Sequence, residues 1–314
     1  MLDPVSLLTW SERALKALDL QRLAHPNATG PALVVAVQGF IDAGNIAGTA
    51  SAHMQTELKS TRLATFDVDQ LVDYRGRRSQ MTLEQDRWVN YDEPTLHLDY
   101  VQDREGVGFL LLTGVEPDYQ WERVIKAIRA IIDRFSVSIT VTVHGIPMPV
   151  PHTRPLTLTA RGTRSELTDD YVSVFNEIRV PSSLASLLEF RLGNQGHDAM
   201  GFAIHVPHYL ARSNYPPAAV FALRHIERAT GLDLGSDLLR QEGSEITTAI
   251  EAEAAGTPEI AEMVTQLEEQ YDRFVERSAV PGLLDEEGLI PSADDLAAQF
   301  EEYLQNHTSD ESGG

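Results

Sequence analysis

Residues 33–38 read LVVAVQ and run into Gly39-Phe40-Ile41-Asp42-Ala43-Gly44-Asn45. A β-branched apolar run, a glycine-bearing turn and then a small-residue stretch, Ile46 to Leu58, predict a buried strand, a tight turn and a closely packed helix. The unit recurs along the chain. Residues 109–113 (FLLLT) form a second apolar strand, after which Gly114, Pro117 and Asp118 turn the chain. Trp121, Val124, Ile125, Ile128, Ile132 and Phe135 follow at the spacing of one helical face. Residues 137–143 (VSITVTV) form a third strand and lead into the stretch from His144 to His152, too rich in proline for helix. Residues 182–192 are helical, capped by Ser182 or Ser183 and closed by Gly193. Residues 199–206 (AMGFAIHV) form a fourth strand, and Pro216 and Pro217 open a helix that stops at Gly231.

Apolar strands alternating with helices predict an α/β fold, a three-layer α/β/α sandwich around a mostly parallel sheet. Residues 62–101 depart from this. Phe66, Val68 and Leu71 alternate with polar neighbours, and 88–91 and 96–101 flank Asp92-Glu93-Pro94. That predicts an antiparallel insertion or edge hairpin. After residue 240 the pattern is all helix. Ile260, Met263, Val264, Leu267, Tyr271 and Phe274 mark one amphipathic helix, and Ser292 with Asp295 resembles a capping box for a last one through Leu304. The expected division is an α/β/α domain over 1–235, an acidic helical domain over 236–305 and a disordered tail over 306–314.

The chain has 314 residues, with 25 Lys and Arg against 47 Asp and Glu, a net charge of −22. Residues 240–314 hold three cations against nineteen carboxylates, a net −16. Such a surface repels nucleic acid and anionic membrane, so neither is expected as a partner. The absence of cysteine excludes disulfides, zinc–thiolate sites and cysteine nucleophiles. The longest apolar runs are of strand length. The first twenty residues mix Asp, Glu, Arg and Lys among the leucines, unlike a secretion signal, so a cytoplasmic location is expected.

In an open parallel sheet, ligands bind beyond the carboxyl ends of the strands. The first exit supplies Gln38, Gly39, Asp42, Ala43, Gly44 and Asn45; the second Thr113, Gly114 and Glu116. The third supplies His144, Gly145, His152, Thr153 and Arg154; the fourth His205, His208, Arg212, Asn214 and Tyr215. If the four strands are parallel neighbours, these groups converge on one rim. The N–H groups of Ala43–Asn45, at a helix start, would then hold a small anion. Asp42 or Glu116 would serve as acid or base, with His144 or His205 as orienter. The competing reading has Asp42 capping the helix and the glycines allowing tight packing. Asn45 and Ile46 stand where a phosphate loop needs Lys and Ser or Thr, so that loop is excluded. No H-E-x-x-H or G-x-S-x-G occurs, and neither a metal nor a cofactor is expected. Arg75, Arg77 and Arg78 form a local basic cluster that would either neutralise nearby acids or meet an anionic partner.

The run LVVAVQGF with Ile41-Asp42-Ala43-Gly44-Asn45 resembles the G-[FW]-x-D-A-G signature of the proteasome assembly chaperone 2-like family. DYRGRR (73–78), LLLTGVEPDYQW (110–121), HGIPMPVPHTRP (144–155) and HVPHYLARSNYPPAA (205–219) resemble its actinobacterial branch. The resemblance implies an α/β/α domain akin to purine nucleoside phosphorylases, with a helical C-terminal domain. Its eukaryotic relatives are non-enzymatic chaperones of proteasome rings that dock through a hydrophobic–Tyr–X tail. This sequence departs from that tail, ending Asp310-Glu-Ser-Gly-Gly314. Two functions remain open. One is a non-catalytic interaction protein or assembly factor with a protein partner. The other is an enzyme or sensor for a small anionic or nucleoside-like ligand. Phosphorylase-like folds commonly self-associate, so a homo-oligomer is expected, with a trimer as its size.

Overall fold

A computed structural model describes residues 3–18, 30–171 and 177–278. The chain order is β1 (Leu8–Trp10), α1 (Glu12–Ala17), β2 (Ala32–Gln38), α2 (Ile46–Glu57), β3 (Lys59–Phe66), β4 (Met81–Glu84) and β5 (Arg87–Tyr91). It continues through β6 (Leu96–Gln102), β7 (Gly108–Val115), α3 (Trp121–Phe135), β8 (Ile139–Met148), β9 (Leu158–Gly162) and α4 (Leu184–Gly193). It closes with β10 (Ala199–Pro207), α5 (Pro216–Thr230), α6 (Asp237–Gly256) and α7 (Pro258–Ser278). The last helix expected from Ser292, and the tail, lie outside the described residues.

Eight strands form one sheet in the order β1-β3-β6-β7-β2-β8-β10-β9. The four apolar runs of the sequence are its centre: β7, β2, β8 and β10 are parallel neighbours. Their near-continuous apolar character follows from burial on both faces. On one face α2 and α5 close a core around Val34, Met54, Phe109, Phe202 and Leu223. On the other, Ile128 of α3 and Leu188 of α4 join a core with Leu33, Leu110 and Leu112. The architecture is the expected α/β/α sandwich with C-terminal helices.

Two expectations need correction. Residues 88–91 and 96–101 do not pair with each other. β6 lies antiparallel between β3 and β7 in the main sheet, whereas β5 pairs with β4 as a separate ribbon. Local alternation predicts antiparallel strands but does not name the partner. Strand β8 also runs beyond residue 143 to Met148, through Pro147. Its pairing with β2 ends at Val35 opposite Thr142. Past that point the β2-side edge is open, so a proline removes no ladder bond there.

The proline-rich segment after β8 is held by α7. Arg154 pairs with Glu268 and, through two nitrogens, with Asp272, while the Tyr271 hydroxyl donates to the Pro155 carbonyl. Helix α6 meets α5 at Gly243, whose absent side chain makes room for the Pro217 ring.

Gly145 sits where β8 passes the glycine turn. A Cβ there would lie 1.9 Å from the Ala43 carbonyl oxygen, and backbone cannot yield cheaply. Gly145→Ala is therefore expected to destabilise the protein by about 3 kcal/mol, measured as a lowered urea midpoint with unchanged slope.

Candidate functional site

The turn after β2 is stitched together by its own atoms. Asp42 accepts from the Ala47 N–H at 2.9 Å and the Gly48 N–H at 3.4 Å, in the first turn of α2. Its other oxygen accepts from the Gly145 N–H at 3.0 Å, on the open edge of β8. Burial pushes the Asp42 pKa upward, and those backbone N–H groups pull against it. The Gly44 N–H donates to the Ala211 carbonyl and the Asn45 N–H to the Asp42 carbonyl. Two of the three N–H groups of the expected anion cradle, those of Gly44 and Asn45, are thus engaged within the protein. The protein's own carboxyl group occupies the helix start where a phosphate would sit. Gly39 is pressed against Glu116, and Tyr215, buried with its pKa pushed to about 12, backs Gly44.

The other acid is engaged too. Buried Glu116 accepts from the Phe40 N–H at 3.0 Å and from the Leu184 N–H at 2.6 Å, so it caps α4 and fixes the turn after β2. Arg77 bonds the Glu116 carbonyl and the Asp118 carboxylate, which accounts for one member of the basic cluster by local neutralisation. Arg154 belongs to the α7 contact, not to a free rim.

The candidate residues do not share one rim. Along β8, Val141 and Val143 belong to the α2–α5 core, and Gly145 faces Ala43 and Ile46. Side chains alternate between faces, so Thr142 and His144 point the other way, and Thr142 donates to Glu189 of α4. Ile204 and Val206 likewise put His205 on the α4 side. Asp42, Asn45, Asn214 and Tyr215 lie with α2 and α5. The sheet turns the His144 and His205 side chains away from the face on which Asn45, Asn214 and Tyr215 lie, whereas Asp42 bonds the β8 edge at Gly145.

Each histidine has a structural setting. His205 is buried, with the Thr157 hydroxyl 2.8 Å from Nδ1 and the Thr159 hydroxyl 2.9 Å from Nε2. Burial lowers its pKa to about 4. Burial, with a smaller contribution from Arg161, does the same for His144, also to about 4. Arg161 and Glu189 form an ion pair over Gly201, which has no Cβ to obstruct it. His152 packs edge-on against Tyr209, whose hydroxyl lies 2.7 Å from Nδ1, and His208 packs edge-on against the same ring. Burial lowers the pKa of both. Among the described residues no group of three or more His, Asp or Glu is placed to hold a metal ion.

Two features escaped the sequence reading. The first is a row of side-chain amides: Gln38 donates to Asn45 at 3.2 Å, and Asn45 to Asn214 at 2.9 Å. It borders a cleft of about 490 Å³ between α2 and the start of α6. Gln38, Asn45 and Asn214 all appear among the strand-exit residues, but nothing local reveals that Asn214 reaches Asn45. The second is the β4–β5 ribbon. Every residue in both strands is exposed, including Met81, Leu83, Trp88, Val89 and Tyr91. Its signal was present as apolar residues at 81, 83, 88, 89 and 91 in a segment with no helix to cover it.

Comparison with protein-family models matches residues 36–254 to the PAC2 family. The chain belongs to the PAC2 family. A Mycobacterium tuberculosis protein of unknown function is 38% identical to this PAC2 chain, with a TM-score of 0.82, covering 86% of this chain and 90% of its own. A Corynebacterium glutamicum protein of unknown function is 32% identical, with a TM-score of 0.79, covering 86% of this chain and 99% of its own. A Mycobacterium tuberculosis proteasome-assembly chaperone homologue shares the fold at 23% identity, with a TM-score of 0.68, over 74% of this chain and 99% of its own. Comparison with curated proteins gives no match. No helix among the described residues is long and apolar enough to cross a membrane.

Asp42→Ala leaves the Ala47, Gly48 and Gly145 donors without their acceptor, so a loss of about 3 kcal/mol is expected by denaturant titration. The histidines give a pH signature. His205 titrates near 4 when folded and near 6.5 when unfolded. Between those values the unfolded chain binds more protons, so stability is full above about pH 6.5 and falls as pH drops toward 4. His205→Gln is expected to flatten that fall, measured as the urea midpoint at pH 7 minus that at pH 5.

Proposed function

We propose that this PAC2 protein is a non-catalytic, chaperone-like interaction protein, an assembly factor that works through protein surfaces and through its own copies. The observation that carries this reading is the β4–β5 ribbon. A two-stranded hairpin is at best marginally stable alone in water and needs a surface to pack on. Here Trp88 is 62% exposed and Leu83 53%. A contiguous apolar face of this kind on a soluble chain marks a contact with another protein. Membership of the PAC2 family, with a proteasome-assembly chaperone homologue among the similar structures, supports the chaperone-like class.

The ribbon also suits self-association. The chain carries a net charge of −22, so most of its surface repels a second copy. Residues 73–91 hold four arginines against Asp73, Glu84 and Asp86, with Arg77 paired to Asp118, so this stretch carries little of the negative charge that keeps copies apart elsewhere. The competing reading, an enzyme or sensor for a small anion or nucleoside, would need a free Asp42 or Glu116 and free N–H groups at the glycine turn. Their use as internal acceptors and donors favours the interaction reading.

Sedimentation velocity at micromolar concentration is expected to give a multiple of the chain mass, with a trimer as the specific expectation. Leu83→Ser with Trp88→Ser is expected to yield monomer with an unchanged far-ultraviolet circular dichroism spectrum. A thermal-shift series with inorganic phosphate, nucleosides and nucleotides is expected to leave Tm unmoved. A phosphate-dependent rise in Tm that Asp42→Asn removes would overturn the reading.

A further inference from the structure

The amide row at the exit of β2 is a built feature. A Cβ on Gly48 would stand 2.1 Å from the Asn45 oxygen and 2.3 Å from the Gln38 nitrogen, so glycine lets the row lie against α2. Asn45 is held in the left-handed region, at φ 51° and ψ 45°, which asparagine tolerates better than most residues. An amide offers one acceptor oxygen and one donor nitrogen. The two bonds within the row leave the Gln38 oxygen at one end and the Asn214 nitrogen at the other, and no other hydrogen bond among the described residues uses either. Turning all three amides over exchanges the ends but still leaves one donor end and one acceptor end.

One end of the row can accept from a main-chain N–H and the other can donate to a main-chain carbonyl, so an extended peptide lying along the row can meet both. The cleft that the row borders adds charge and apolar surface. Glu57 and Glu242 line it, and no lysine or arginine does. Leu238 of α6, also in the lining, is 55% exposed and offers a rest for a methylene stem. The strongly negative chain draws cationic partners toward such a cleft and repels phosphate-bearing ones.

We propose that this cleft binds an extended, lysine- or arginine-bearing peptide segment of a partner protein. Its main chain pairs with the ends of the Gln38–Asn45–Asn214 row, and its cation is held by Glu57 and Glu242. The cleft shares no residue with the β4–β5 ribbon, so this binding and the oligomeric state fail or hold separately.

The test uses the full chain and a fluorescein-labelled, end-capped decapeptide of alternating lysine and alanine, read by anisotropy at low salt. Saturable binding is expected, weakening as salt rises. Gln38→Ala and Asn214→Ala change exposed side chains, and each is expected to weaken binding roughly three- to tenfold without moving Tm. Glu57→Gln with Glu242→Gln is expected to weaken it further and to reduce the salt dependence. A peptide N-methylated at every alanine keeps the charge but lacks those N–H donors, and is expected to bind worse than the parent. Absence of saturable binding, equal binding of the N-methylated peptide, or indifference to Gln38→Ala and Asn214→Ala would each overturn the proposal. So would displacement of the peptide by spermidine or by uridine at matching concentration, since these would show a site for bare charge or for a nucleobase edge.

Discussion

Asp42 joins the turn after β2 to the start of α2 and to β8 beyond the reach of the β2–β8 ladder. Its carboxyl group takes two N–H groups at the start of α2 and one from β8 beyond the last β2–β8 pair. Helix starts leave backbone donors without intrahelical partners, and an open strand edge leaves more. One short side chain serves both. The close passage it enforces explains the glycines around it. Gly145 must pass the Ala43 carbonyl, and Gly44 adopts a positive φ of 72° beside Tyr215. The same interaction explains why this glycine turn is no phosphate loop. The position a bound anion would take is filled from within.

The polar groups at the other strand ends follow the same logic. Glu116 caps α4 and tethers the turn at Phe40; Arg154 anchors α7; two threonine hydroxyls flank His205. Loops at the rim of an open sheet have many backbone and side-chain groups to satisfy, and here these residues do that work. Buried polar groups are costly unless partnered, so dense furnishing of a strand end is as much a requirement of folding as a sign of chemistry. The features that remain unspent face outward. Among the described residues they include the apolar β4–β5 ribbon and the two ends of the amide row.

The acidic C-terminal helices have a similar double character. Glu268 and Asp272 of α7 meet Arg154, and Asp237 of α6 meets Arg104. Glu242 instead lines the cleft beside α2. Negative charge is thus partly consumed in docking these helices to the sandwich and partly left on the surface.

Amino-acid order alone determined the elements and the class of fold. The four apolar runs became the parallel centre of the sheet; the Trp121–Phe135 periodicity became α3; Ser183, Pro216 and Gly231 bounded their helices. These are local signals, because burial on both faces, helical period and capping chemistry act over a few residues. Only tertiary structure decided which face of the sheet each strand-exit residue occupies. A shift of one position along a strand moves a side chain to the opposite face, and so Gly145 faces Ala43 while His144 points to the other side of the sheet. It also decided that β6 pairs with β3 and β7, and that Asn214 meets Asn45 across 169 residues. Register and long-range pairing are set by the packing of the whole sandwich, which no local stretch of sequence contains.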